Sequence, residues 1–136
     1  MNRVNLNVYI GQESIFESID KAQTYMDLHQ VESEVSYYIR LAMEELLLNL
    51  RDHTELTDKD SANVEILVSK EIVKLTVRDS SPKFNPLDVK PPDLDADINA
   101  REIGGLGIFL LIKTAEAIHY QHLRGENVVS LAWRRP

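Results

Sequence analysis

The chain opens on a strict alternation of apolar and polar positions. Val4, Leu6, Val8 and Ile10 fall on one side and Asn5, Asn7 and Tyr9 on the other, which predicts a half-buried strand closed by Gly11. From Ser14 to about His29 the apolar period lengthens to that of a helix, with Ile15, Ile19, Ala22 and Met26 on the inward face. A second amphipathic helix is predicted from about Glu32 to about Arg51, through Val35, Tyr38, Ile39, Ala42, Met43, Leu46 and Leu50. The polar stretch Thr54 to Ser61 then leads into two alternating runs. Val64, Ile66 and Val68 form the first, and Val73, Leu75 and Val77 the second; Ser69, Lys70 and Glu71 join them as a hairpin.

Both periods vanish between Ser80 and Glu102. Pro82, Pro86, Pro91 and Pro92 lie there with Asp88, Asp93, Asp95 and Asp97. An irregular stretch of that length inside a compact domain is functional or disordered. Order returns at Gly104-Gly105-Leu106-Gly107, which opens an apolar helix running to about Ala117. Strands over Ile118–Leu123 and Val128–Trp133, joined at Arg124-Gly125-Glu126, complete the pattern. The order β-α-α-β-β-loop-α-β-β, with no internal repeat, predicts one α+β domain over residues 1–136. About three helices cover one face of a mostly antiparallel sheet of about five strands.

Composition narrows the options. Of 136 residues, 43% are hydrophobic, enough for a core without covalent staples. The chain has no cysteine, which removes disulfides, thiolate nucleophiles and zinc–thiolate sites. No run approaches the roughly 20 apolar residues of a membrane span. The first ten residues lack the charged-then-apolar layout of a secretory signal, so a cytoplasmic location is expected. Acidic residues outnumber basic ones 22 to 15, for a formal charge of −7. A binder of nucleic-acid backbone needs a basic face; a nucleotide, a basic peptide or another protein suits this chain better.

Three features could carry chemistry. Glu45, Asn49 and His53 recur every four residues and form one stripe of the second helix. Apolar residues flank that stripe on both sides, Ala42 and Leu46 on one and Leu41 and Leu48 on the other. It is either a simple wetted face or a place where a carboxylate and an amide meet a ligand. Gly104-Gly105-Leu106-Gly107 at a helix start is either a tight loop-to-helix turn or a cradle for phosphate, because helix N-terminal amides are unpaired and glycine permits close approach. It matches neither the Walker nor the Rossmann glycine pattern. Asp79, at the end of a strand, is either a loop cap or an acceptor for an amine such as adenine's.

In combination these features resemble the histidine-kinase-like ATPase superfamily that gyrase shares: Glu-x-x-x-Asn on a helix, a strand-end Asp with Phe84 five residues on, a long lid and Gly-Gly-Leu-Gly. Within it, Pro91-Pro92-Asp93-Leu94-Asp95, the run Arg101 to Leu110 and the tail Gly125 to Leu131 are similar to the anti-sigma-factor serine kinases.

The resemblance implies a Bergerat-type ATP-binding fold with a lid at about 80–103. It places a general base on Glu45, a Mg²⁺ ligand on Asn49 and the adenine acceptor on Asp79. Gly104, Gly105, Leu106 and Gly107 would wrap the phosphates, and Phe84 matches the aromatic that follows the Asp motif. His53 matches a position often held by His, with no role attached. It further implies ATP and Mg²⁺ as cofactors, a small antagonist (anti-anti-sigma) protein and a sigma factor as partners, and a homodimer, without nucleic acid or membrane.

Two positions depart from the family. Asp79-Ser80-Ser81 stands where Asp-x-Gly is usual, and Leu50 where Ala usually follows the Asn. Ser81 leaves open a second reading, a nucleotide-sensitive binding module with little transfer activity. The ATP-binding half of a sensor histidine kinase would need a phospho-acceptor helix; His29 ends the first helix with no dimerisation hairpin around it.

Overall fold

The computed structural model describes residues 1–88 and 105–136. The elements follow in the order β1 (Asn2–Tyr9), α1 (Gln12–Leu28), α2 (Ser33–His53), β2 (Ser61–Val68), β3 (Ile72–Asp79), α3 (Gly105–Thr114), β4 (Ala117–Leu123) and β5 (Glu126–Arg134). The five strands form one sheet in the order β1-β2-β3-β5-β4, and every pairing is antiparallel. The architecture is α+β, with five strands and three helices, as the apolar pattern predicts. No helix among the described residues is long and apolar enough to cross a membrane.

The pleat explains the layering. Val64, Ile66 and Val68 on β2, Val73, Leu75 and Val77 on β3, and Val129, Leu131 and Trp133 on β5 are buried on one face. They join Ile15, Ala22 and Met26 of α1 with Ile39, Met43, Leu46 and Leu50 of α2 in a single core. The alternation in β1 holds as well: Val8 is buried while Asn5, Asn7 and Tyr9 are exposed.

Two local details set the frame for the site. The β4–β5 hairpin turns through Arg124 and Gly125, whose φ angles of 55° and 79° match the right-handed twist of the flanking strands. Helix α3 stops at Thr114, three residues short of the expected end. There the Thr114 hydroxyl bonds back to the Leu110 carbonyl at 2.8 Å, and the Glu116 amide is captured by the Ala132 carbonyl of β5 at 2.9 Å. Sheet pairing of Glu116 thus ends the helix before apolar periodicity does.

Candidate functional site

The C-terminal half of α2 carries Glu45, Asn49 and His53 one turn apart, with Leu46, Leu47 and Leu50 buried beside them. Each of the three meets a different neighbour. Glu45 lies against the first turn of α3: a Cβ built on Gly107 would overlap the Glu45 carboxylate and come within 2.7 Å of its Cγ. Gly107 is therefore needed for proximity. Its φ lies outside the left-handed region, so the position uses the glycine's small size and not its backbone freedom.

The Glu45 carboxylate makes no hydrogen bond or ion pair among the described residues. Its pKa is raised, first by burial and second by the neighbouring charge of Glu44. A partly desolvated carboxylate at the mouth of a helix whose first amides are unpaired is suited to take up a proton from a ligand group.

Asn49 is partly buried, and its Nδ2 donates to the Pro86 carbonyl at 2.9 Å. A carbonyl can only accept, so this bond fixes the amide orientation and leaves Oδ1 without a donor among the described residues. An amide oxygen is a ligand type that suits Mg²⁺ alongside water and phosphate oxygens. The described residues hold no cluster of three His, Asp or Glu side chains able to bind a metal alone. His53 is exposed, and its ring stacks on Phe84 at 6.2 Å between centroids with 28° between planes.

Asp79 ends β3 on the inward phase of Val73, Leu75 and Val77 and is 3% exposed. Its Oδ1 accepts from the Ser81 amide at 2.9 Å, from the Ser81 hydroxyl, and from Asn127 Nδ2 at 3.2 Å. Ser81 is thus turned onto the carboxylate, where its hydroxyl adds a bond. Oδ2 receives no donor among the described residues.

Asn127 is a residue of this region that the sequence pattern passed over. It is fully buried opposite Asp79 on β5. Its Oδ1 accepts from the Phe84 amide at 3.0 Å and the Tyr120 hydroxyl at 2.7 Å. Burial, and then the negative charge of Asp79, raise the Tyr120 pKa, so the phenol stays protonated and donates. A recess of about 400 Å³ opens beside this cluster, lined by Lys83, Phe84, Asn85, Asp88 and Tyr120.

These contacts bring most of the candidate residues into one region. Glu45 meets Gly107, Asn49 meets Pro86, and His53 meets Phe84, which is tied through Asn127 to Asp79. Gly105 begins α3, and the Leu106 side chain is half exposed. Gly104, and the greater part of the segment expected as a lid, lie outside the described residues.

Residues 13–133 match the model of the histidine kinase-like ATPase domain, and the chain belongs to that family. Membership implies ATP as the ligand. No curated protein is significantly similar to the chain in sequence. Among solved structures, the fold is similar to that of Rv1364c from Mycobacterium tuberculosis, a crystal structure of its RsbU and RsbW domains. The TM-score is 0.66 at 13% identity; the match takes in 100% of this chain and 34% of that one. The chain thus spans about a third of the length of the protein it resembles, and the likeness is one of fold.

Proposed function

We propose that the chain is an ATP-dependent serine kinase of a partner-switching module, phosphorylating a small antagonist protein and sequestering a sigma factor. The observation that carries the reading is Glu45: a carboxylate without a partner among the described residues, its pKa raised, one helical turn from an amide whose oxygen has no donor among them either. In the reaction, Glu45 accepts the proton of the antagonist's serine hydroxyl. The serine oxygen bonds to the γ-phosphorus while the bond to the β,γ-bridging oxygen breaks, and ADP leaves. Such transfer depends on in-line positioning and charge neutralisation more than on covalent chemistry by the protein.

Asn49 Oδ1 is the atom we assign to Mg²⁺, which when bound neutralises phosphate charge. Asp79 is assigned to the adenine amino group. The amides of Gly104, Gly105, Leu106 and Gly107 are assigned to the phosphates, with the Pro-rich segment at about 80–103 as the lid. Phosphate added to the antagonist's surface would weaken its hold and release the kinase for the sigma factor. A homodimer over residues 1–136 as one domain belongs to the same reading. Ser81 favours the second reading, a nucleotide-sensitive binding module, since a hydroxyl stands where glycine is usual.

Transfer of label from γ-labelled ATP to candidate antagonist domains separates the two. Serine labelling that disappears in Glu45→Ala, with ATP binding retained, supports the kinase. ATP binding without labelling of any antagonist overturns it in favour of the binding module.

A further inference from the structure

Asn127 is the most heavily bonded side chain of the described residues, and every bond runs to a group at the start of the 80–88 segment or beside it. Its Nδ2 lies 3.2 Å from Asp79 Oδ1, 3.1 Å from the Ser81 carbonyl, 3.1 Å from Ser81 Oγ and 3.2 Å from the Pro82 carbonyl. Its Oδ1 takes the Phe84 amide and the Tyr120 hydroxyl. The orientation of the carboxamide is unambiguous: the Phe84 amide can only donate, and the Ser81 and Pro82 carbonyls can only accept. Asn127 is fully buried and cannot flip without losing bonds on both sides.

The consequence falls on Asp79. Three donors converge on Oδ1, which fixes the orientation of the carboxylate. Among the described residues only Oδ2 is left without a donor, and a carboxylate oxygen pairs with a donor. A 6-amino purine supplies one; a 6-oxo purine would set a carbonyl oxygen against a carboxylate. Fixed buried polar groups reject the mismatched analogue far more strongly than mobile ones.

We infer that Asn127 is a positioning residue that sets base selectivity, holding Asp79 so that the site admits a 6-amino purine and refuses a 6-oxo purine. The inference rests on the assignment of Asp79 to the base. Without the clamp, Asp79 can turn toward other donors. The amino base then loses its bond and the oxo base loses its repulsion, so discrimination collapses while the phosphate contacts stay.

The test is calorimetric titration of the whole chain with ATP and with inosine triphosphate, which differs at the purine 6-position. Wild type should prefer ATP. In Asn127→Ala the ATP affinity should fall roughly 10-fold and that of inosine triphosphate less than about twofold. Tyr120→Phe, which removes one donor to Asn127 Oδ1 and is less disruptive, should lower the ratio about two- to threefold. Val68→Ala, a buried position at the far end of β2, opposite Val73, should lower the melting temperature and leave the ratio alone.

A ratio unchanged in both Asn127→Ala and Tyr120→Phe overturns the inference, as does a wild type that does not discriminate. If Asn127→Ala does not fold, the Tyr120→Phe ratio decides. A wild type that binds neither nucleotide sinks the ATP-site assignment itself, which is a separate and recognisable result.

Discussion

The two ends of α2 are built from the same kinds of residue and treat their charges in opposite ways. At the N-terminal end, Glu32 binds Arg135 at 2.7 Å, and the nearby Glu116 takes two bonds from Arg134, at 2.8 and 2.6 Å. Hydrogen bonding from Arg135 lowers the Glu32 pKa, and that from Arg134 lowers the Glu116 pKa. Tyr38 stacks on Trp133, whose indole N–H finds the Thr114 hydroxyl at 3.1 Å. A recess of about 510 Å³ lies at this end, but both arginines in its lining are already paired. At the C-terminal end, Glu45 is partly buried with no partner among the described residues, and its pKa moves the other way. A carboxylate paired with arginine helps hold the fold; one desolvated and left unpaired is held ready for a ligand at some cost in stability.

The largest test of that contrast is Glu45→Gln. Loss of a general base should lower the initial rate of phosphoryl transfer by about 10²–10⁴-fold, with MgATP affinity changed less than about threefold. Gly107→Ala should come next. The added Cβ overlaps the Glu45 carboxylate, and a side chain's far end can swing away at little cost to the fold. Transfer should fall on the order of 100-fold while the melting temperature moves by less than about 3 °C. A large loss of stability with unimpaired transfer would mean that Glu45 does not need its present place.

Smaller effects have opposite signs at the two ends. The folded-state pKa of Glu45 is raised, so between its ordinary and raised values the folded chain binds more protons than the unfolded one. Stability is lost as pH rises through that window, and the loss is complete above it. Glu45→Gln should therefore raise the melting temperature at neutral pH, by roughly 1–3 °C, even as it slows transfer. Transfer by the wild type should fall on acidification at a pH above the ordinary carboxylate range, because only ionised Glu45 accepts a proton.

Glu32 has a lowered pKa, so its contribution is present above the ordinary carboxylate value and disappears as pH falls through the lowered one. The pair is partly solvated, and Glu32→Gln should cost no more than about 1 kcal/mol with nucleotide binding intact. Thermal melts from pH 3 to 8 check both signs.

Much of this contrast was legible in the sequence because periodicity survives folding. The four-residue spacing of Glu45, Asn49 and His53 fixes a stripe on any helix, and Asp79 continues the inward phase of Val73, Leu75 and Val77. Partners are a different matter. Five of the six bonds of Asn127 reach 43 to 48 residues back along the chain, a relation that local patterns do not encode. One cue was present: Asn127 sits on the inward phase of Val129, Leu131 and Trp133, where a polar side chain must find partners or destabilise the sheet. Ser81 reads as an intrusion when compared with glycine. Only the turn that brings its amide and hydroxyl onto Asp79 shows how it is accommodated. The end of α3 was misjudged for the same reason, since a strand bond from Ala132 ended what the apolar run would have continued.

The most direct measurement is a calorimetric titration of the chain with ATP at saturating magnesium, repeated with Asn49→Ala and Asp79→Asn. The wild type should bind with measurable heat and a rise in melting temperature, and both variants should weaken binding at least tenfold. Absence of heat and of any thermal shift in the wild type, or unchanged affinity in both variants, would contradict the convergence of these α2 and β3 side chains on one nucleotide.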